Sequence, residues 1–410
     1  ARPPPTAPDP PLTHPPVSTP PGGPPRVPEP IVTRRFAVLW GIGFLTYASV
    51  YLLVPVLPLY LRDAGLSTGP IGALLGIMSA VALVARPFAG WLSDGLGRRP
   101  LIIAGVAALL IFPVVAAVWT GVALFALLQV VRGFGWGSLT SNANTMAGEL
   151  APPARRGEAL GLYTAAGSLA LAVSPLGGLA IARQHGYPAA LWTAAALTLA
   201  ALLLAAFLYQ GPRAPLRPLR VRELVAIPAL GPAAGVVAHA MNYGGIIIFL
   251  PVLVEARALG NPGLFFTIYA VALVLLRGIA GRLSDRYGRA AIIVPGLLCS
   301  AATMGVLGAA STRWQMLAAA PLLALSMALV QPPSLAWALD LGGERRGVAM
   351  ATMVAAQDLG VALGGMLLGA IGQAGGYGAL FGAGAGMALA AVGALLIVAR
   401  RLGGLATRPS

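Results

Sequence analysis

Lysine is missing from this chain, acidic residues are scarce, and there is a single cysteine. The 27 basic residues are all arginine, Asp and Glu together number 12, and charged residues make up only 10% of 410 positions. With 58% hydrophobic residues and a mean hydropathy of +0.82, a soluble globular fold is excluded, because such a chain has too little polar surface to cover itself. Cys299 has no second cysteine to pair with, which rules out an intrachain disulfide and leaves a metal cluster unsupported. A Walker-type phosphate loop and a His-Glu-x-x-His site are also missing, so neither ATP-driven work nor zinc proteolysis is expected. Gly65-Leu-Ser-Thr-Gly69 matches the hydrolase pattern Gly-x-Ser-x-Gly. It falls in a short loop between two apolar runs, without the strand-to-helix turn that gives the pattern its chemistry. No enzyme activity and no cofactor are expected.

What the chain has is length in apolar runs. About 20 helical residues cross a hydrocarbon core of about 30 Å, and runs of that kind can be marked off at 36–60, 69–92, 99–118, 121–147, 158–182, 189–209, 224–254, 262–283, 290–310, 314–339, 347–372 and 377–399. They are continuous rather than alternating, so they predict helices and not barrel strands. The fold class expected is an all-α polytopic membrane protein with twelve transmembrane helices.

The formal net charge of +15 could be taken for a nucleic-acid signature, but its distribution points to a lipid bilayer. Twenty arginines fall in the two ends of the chain and the loops on one side, four (Arg62, Arg183, Arg257, Arg313) on the other, and three (Arg86, Arg132, Arg277) inside spans. By the positive-inside rule both termini are cytoplasmic, and a bacterial inner membrane is the expected location. Residues 1–30 hold 14 prolines and nothing that could build a core, so a disordered cytoplasmic tail is expected there, without the apolar run of a signal peptide. The polar stretch 211–223 reads as a cytoplasmic linker between an N-terminal six-helix bundle (31–210) and a C-terminal one (224–400), with 401–410 as a second tail.

The two halves are copies. Gly90-Trp-Leu-Ser-Asp94-Gly-Leu-Gly97-Arg98-Arg99 returns 191 positions later as Gly281-Arg-Leu-Ser-Asp285-Arg-Tyr-Gly288-Arg289, each preceded by an arginine, Arg86 or Arg277. Arg155-Arg156-Gly157 likewise returns as Arg345-Arg346-Gly347. Glycines permit close helix approach and a tight loop, and an aspartate at a helix end can pair with an arginine or a helix N-terminus. Such contacts suit a gate that forms in one state and breaks in another, and they also suit simple loop orientation. Arg86 and Arg277 are expected to snorkel toward the cytoplasmic face and brace these loops.

Two residues inside spans stand out chemically. Asp358 lies eleven residues beyond Gly347, near mid-depth. A carboxylate in low dielectric holds its proton more tightly and can serve as a coupling site; a structural ion pair, with Arg132 as partner, is the alternative. His239 is the only histidine within a span and is either a proton carrier or a hydrogen-bonded packing residue. Further cavity candidates are Tyr47 and Tyr51, one turn apart, with Gln129, Trp136, Asn142, Asn242, Tyr243, Trp337 and Gln357, although aromatics in spans more often pack or anchor.

The repeated loop resembles the best-known signature of the major facilitator superfamily: Gly90, Leu92, Asp94, Gly97, Arg98 and Arg99 match it, and so do Gly281, Leu283, Asp285, Gly288 and Arg289, with Ala290 in the last place. Gln129-Val-Val-Arg132-Gly133-Phe-Gly135 is similar to the span-four motif of proton-coupled members, with Gln129 where that motif has its arginine and Arg132 one turn on. Ser174-Pro175-Leu-Gly177-Gly178 resembles the exporters' Gly-Pro-x-Gly-Gly, with a hinge at Pro175, Gly177 and Gly178 as its mechanical sense.

The resemblance, which is to the twelve-helix drug/proton antiporter branch, implies two bundles around a cavity that opens alternately to either side. It further implies proton coupling, for which Asp358, His239 and Arg132 are the candidate residues, and efflux of small amphipathic or drug-like molecules driven by the proton gradient; a single chain that holds both halves is expected to act as a monomer. A facilitator or proton symporter importing a small metabolite is the alternative reading, and a transporter-like sensor or scaffold a remoter one.

Overall fold

A computed structural model describes residues 30–119, 121–152, 155–211, 226–342 and 346–401; the side chains of 278–281, 285, 346–347 and 398–401 are not among those described. The expected tail 1–30 apart from Pro30, the linker 211–223 apart from Gly211, and the tail 401–410 apart from Arg401 therefore lie outside the described residues. So does the side chain of Asp285.

Among the described residues there are helices and connecting turns but no strand. In chain order they are α1 (Arg34–Leu52), α2 (Val56–Asp63), α3 (Thr68–Leu96), α4 (Arg98–Val118), α5 (Val122–Glu149), α6 (Arg156–His185), α7 (Tyr187–Leu204), α8 (Leu230–Ala256), α9 (Pro262–Tyr287), α10 (Arg289–Ala309), α11 (Arg313–Gly342) and α12 (Arg346–Arg401). Among the described residues ten helical stretches are long and apolar enough to cross a membrane, and Pro262–Arg277 is a shorter apolar one. The Val348–Ile397 stretch has 50 residues, roughly 75 Å of helix at 1.5 Å per residue, and so crosses twice. The protein is an all-α, twelve-span membrane protein.

Two details differ from a plain series of twelve rods. The first span is split into α1 and α2 around Leu53-Val54-Pro55, since proline cannot donate the backbone bond that continuous helix needs. The last two spans run together as α12 and are separated only at Gly376, whose φ of 72° and ψ of −174° break the helix. Gly186 (φ 84°), 190 positions earlier, divides α6 from α7 in the same way. Gly97 (φ 85°) and Gly288 (φ 91°) form the equivalent breaks in the repeated loops. A side chain at these four positions would meet a steric penalty, so the duplication keeps glycine there.

Contacts follow the same symmetry. Within the first half α5 packs on α3 and α4, and α1 on α6 and α7; within the second α11 packs on α9 and α10, and α8 on α12, which holds both of the last two spans. The halves meet chiefly through α3 against α12 and α6 against α9. These two seams are tight at one end. A Cβ at Gly72 would lie 2.1 Å from the Gly365 carbonyl oxygen, and one at Gly263 would lie 2.7 Å from Leu176 Cα. Thr267 donates a 2.6 Å hydrogen bond to the Ala172 carbonyl across the second seam. At that same end Arg62 pairs with Asp63 at 2.7 Å and with Glu255 of the other half at 2.8 Å, while Tyr187 donates to Asp63. Toward the repeated loops Gly90, Gly148, Gly157 and Gly161 have open space where a Cβ would stand.

The candidate transport cavity

Between the halves lies a cavity of about 430 Å³, within the usual range for sites that take drug-sized ligands. Its deep end is lined by Leu53, Leu57 and Pro58, behind the closed seams; Arg86, Asn144, Thr164 and Arg277 line it toward the repeated loops, where Thr164 and Arg277 are exposed. The cavity therefore opens on the repeated-loop face.

Of the residues singled out in the sequence, Tyr47, Tyr51, Gln129, Arg132, Trp136, Tyr243, Gln357 and Asp358 line it. Tyr47 stacks on Tyr51 at 6.0 Å and meets the edge of Trp136 at 5.4 Å, as their spacing along α1 and α5 allows. Tyr243 faces Tyr269 at 5.9 Å on the other wall. Gln357 is hydrogen-bonded by Gln331.

Four expected cavity or coupling residues stand elsewhere. Asn142 is buried and donates to the Ser138 carbonyl at 2.9 Å, one turn back on its own helix. Asn242 donates to Ser300 at 3.0 Å between α8 and α10. Trp337 is buried in the hydrophobic cluster of the second half that also holds Val330, Ala338 and Ile293. His239 is buried with Nδ1 2.9 Å from Ser326 Oγ and Nε2 3.1 Å from Met327 Sδ, beside Gln331 and Gln357 but behind the cavity wall. Span membership alone does not say which side of a buried helix faces the void, and these helices are apolar all round.

Asp358 has a different partner from the one expected. Arg86, on α3 of the first half, reaches it across the seam: Arg86 Nε donates to Asp358 Oδ2, Nη2 to Oδ1 at 3.3 Å, and Nη1 to Thr140 Oγ1 at 2.7 Å. The two side chains are 16% and 11% exposed, so the pair is largely withdrawn from water. Arg86 does not snorkel to the loop, because a fork-on-carboxylate bond in a low-dielectric seam outweighs a longer reach to solvent. Arg132 remains within the first half, 4.7 Å over the Phe112 ring and donating to Gln129 Oε1 at 3.3 Å. Arg277 also points inward, its Nη1 3.5 Å from Ser168 Oγ on α6.

In the repeated loops, the contacts fall on residues that sequence reasoning passed over. Arg98 donates to Ser93 Oγ at 2.7 Å and pairs with Glu149 at 2.8 Å; Arg289 donates to Ser284 Oγ at 3.2 Å and approaches Asp340 at 3.4 Å. Among the described residues it is Ser93 and Glu149, not Asp94, that hold Arg98, and Asp94 is exposed. Arg99 donates to the Ala206 carbonyl at 3.0 Å. The 191-residue offset relates each serine, arginine and acid to its counterpart, so the repeat carried this signal. At the expected hinge α6 continues unbroken through Pro175. Gly178 is pressed against Leu52, where a Cβ would lie 2.2 Å from the carbonyl oxygen, while Gly177 faces open space.

Two six-span halves related by duplication, with a cavity between them closed at one end, are the architecture of a membrane transporter. A sequence model of the Major Facilitator Superfamily matches residues 39–234 and again 232–409, and the chain belongs to that family. It is 28% identical over 307 residues to "Multidrug resistance protein MdtG" of Salmonella paratyphi A (strain ATCC 9150 / SARB42), a match covering 69% of this chain and 74% of the relative. Its fold is similar to that of the nucleoside transporter NupG (TM-score 0.75, 11% identity, 89% of this chain and 99% of the other). It is also similar to that of a peptide transporter, POT, in complex with alafosfalin (TM-score 0.72, 16% identity, 91% and 95%). The protein is an integral membrane transporter of small molecules.

Proposed function

We propose that the protein exports small amphipathic or drug-like molecules from the cytoplasm in exchange for protons, with Asp358 as the proton site. The observation that carries this reading is the Arg86–Asp358 pair, which joins the two halves inside the cavity. Asp358 is the only carboxylate among the described residues that line it. Protonation removes the negative charge, and with it the attraction that holds α3 to α12 at that point. Proton binding and opening of the seam are thereby linked through one contact. The similarity to multidrug resistance proteins supports efflux of drug-like compounds.

Arg98, Arg99, Arg155, Arg156, Arg282, Arg286 and Arg289 lie at the cavity's open end, which the positive-inside rule assigns to the cytoplasm. This state is then the one that loads substrate. The bacterial inner membrane suits such a device, and the proton gradient supplies the drive. A single chain holds both halves and is expected to act as a monomer. His239 is left to packing in this scheme, and Arg132 to shaping the cavity wall.

The test is flux in proteoliposomes across an imposed pH gradient, using a panel of labelled amphipathic compounds. Acid on the side opposite the repeated loops is expected to drive them toward that side against their own gradient. Asp358→Asn is expected to reduce this driven flux to the rate of protein-free liposomes. Driven flux unaltered by Asp358→Asn would sink the proton site, and accumulation in the direction of proton flow would replace antiport by symport.

A further inference from the structure

The duplication builds the same crossing contact twice but supplies an acid only once. Arg86 and Arg277 are 191 positions apart, and Asp358 and Ser168 are 190 apart. Each arginine reaches over a seam to the other half: Arg86 to Asp358 on α12, and Arg277 to Ser168 on α6. At 3.5 Å the Ser168 hydroxyl is a long hydrogen-bond partner and brings no charge. A guanidinium does not deprotonate in a protein, so its charge must be balanced from outside its own side chain.

Among the described residues lining the cavity there are three arginines, Arg86, Arg132 and Arg277, against the single carboxylate Asp358, which Arg86 already holds. Arg132 is buried beneath Gln129 and against Phe112. Arg277 is the exposed one, on the open side of the cavity. Tyr269 and Leu273 line the cavity from the same face of α9, two turns and one turn before it, and Tyr243 packs against Tyr269. A planar cationic fork therefore stands above an aromatic and aliphatic wall.

We propose that Arg277 docks the negative charge of the transported substrate, and that the substrate class is amphipathic organic anions: carboxylates, phosphonates or sulfonates with an aromatic or aliphatic body. The substrate's anion takes the place that Asp358 occupies opposite Arg86. A guanidinium in a confined, partly apolar cavity gains most from a ligand that can accept two parallel N–H bonds, and a cationic ligand would be repelled. The proposal rests on reading this cavity as the transport site.

The experiment compares three probes that share one ring system: 1-naphthaleneacetate, the uncharged 1-naphthaleneacetamide and the cationic 1-naphthylmethylamine. Affinity for the full-length protein in detergent is read by thermal stabilisation across a concentration series. The acetate is expected to bind about tenfold tighter than the amide, the amount one charge-assisted pair supplies, and the amine weakest. In Arg277→Gln the acetate-to-amide ratio is expected to fall to about one, while Arg277→Lys retains part of it. Ser168→Asp, which builds the missing acid into the protein, is expected to abolish the ratio with Arg277 still present. Helix content and monodisperse elution establish that each variant is folded.

A ratio near one in the unsubstituted protein, absence of binding by all three probes, or a ratio that survives both Arg277→Gln and Ser168→Asp would overturn the proposal. Each of these would leave the efflux reading intact if pH-driven, Asp358-dependent flux of other compounds persists.

Discussion

A buried arginine–carboxylate pair is not in itself a stabilising device, because desolvating both charges offsets much of their attraction; what is large is the cost of losing one member. For a pair as withdrawn as Arg86–Asp358, that cost is on the order of 3–5 kcal/mol, or two decades or more in an equilibrium constant. In the proposed scheme a proton arriving on Asp358 therefore carries enough free energy to change which state of the transporter prevails. On that scale one carboxylate, the only one among the described residues lining the cavity, is enough for the proposed coupling. Position also separates Asp358 from His239, which does not line the cavity and whose two ring nitrogens are taken up by Ser326 and Met327. His239→Gln is expected to leave the pH profile of transport unshifted, measured as initial flux from pH 5.5 to 8.5; a shifted profile would return His239 to the coupling path.

At this scale the sequence was only partly legible. Asp358 could be found because a carboxylate inside an apolar run is costly. Its partner could not, since pairing residues 272 positions apart requires knowing which two helices form the seam. The duplication held the clue: Arg86 and Arg277 recur in register, and so do Asp358 and Ser168, which leaves two crossed contacts as the symmetric solution.

Helices were the most legible level, because a bilayer leaves an apolar chain little choice but helix, and arginine-bearing loops mark its ends. The exceptions have local causes. Pro55 splits the first span, and the last two spans join because Gly376 turns the chain without a polar loop. Packing between helices was less legible, since small residues are frequent everywhere in such a chain. Gly72 and Gly76 on α3, with Gly360 and Gly364 on α12, look alike in sequence. Yet Gly72 meets Gly365 across the seam, whereas Gly364 meets the Met241 carbonyl within the second half.

The first pair closes one end of the cavity, the second holds a bundle together, and substitution should tell them apart. Gly72→Val is expected to push α3 from α12 at the closed end, at a cost of about 1–3 kcal/mol to this state. It should favour the opposite opening while leaving the fold intact. Alkylation of a cysteine placed at Leu57, in a Cys299→Ser background, would rise from the side opposite the repeated loops. Gly364→Val is expected instead to lower the thermal midpoint of the whole protein without that gain in access. Equal access in both variants would contradict the assignment.

For the whole molecule, the two halves share geometry and divide chemistry. Each repeated loop is held by the same serine–arginine–acid set, Ser93, Arg98 and Glu149 in one half and Ser284, Arg289 and Asp340 in the other. Each seam has an arginine reaching across it. Among the described residues only the α3–α12 seam has a carboxylate that receives it, which in the proposed scheme makes that seam the one a proton unlocks and leaves the other for the substrate. The asymmetry is what an exchanger requires: two ligands that bias the same pair of states from equivalent positions, so that occupancy of one alters the affinity for the other by the same factor in both directions.

That coupling is measured most directly as proton release on substrate binding. Purified protein in weakly buffered solution, titrated with a transported compound near neutral pH, is expected to release protons in proportion to the sites filled, and Asp358→Asn is expected to bind the compound without release. Release of equal size from Asp358→Asn, or binding to the unsubstituted protein without release at any pH between 6 and 9, would contradict the account.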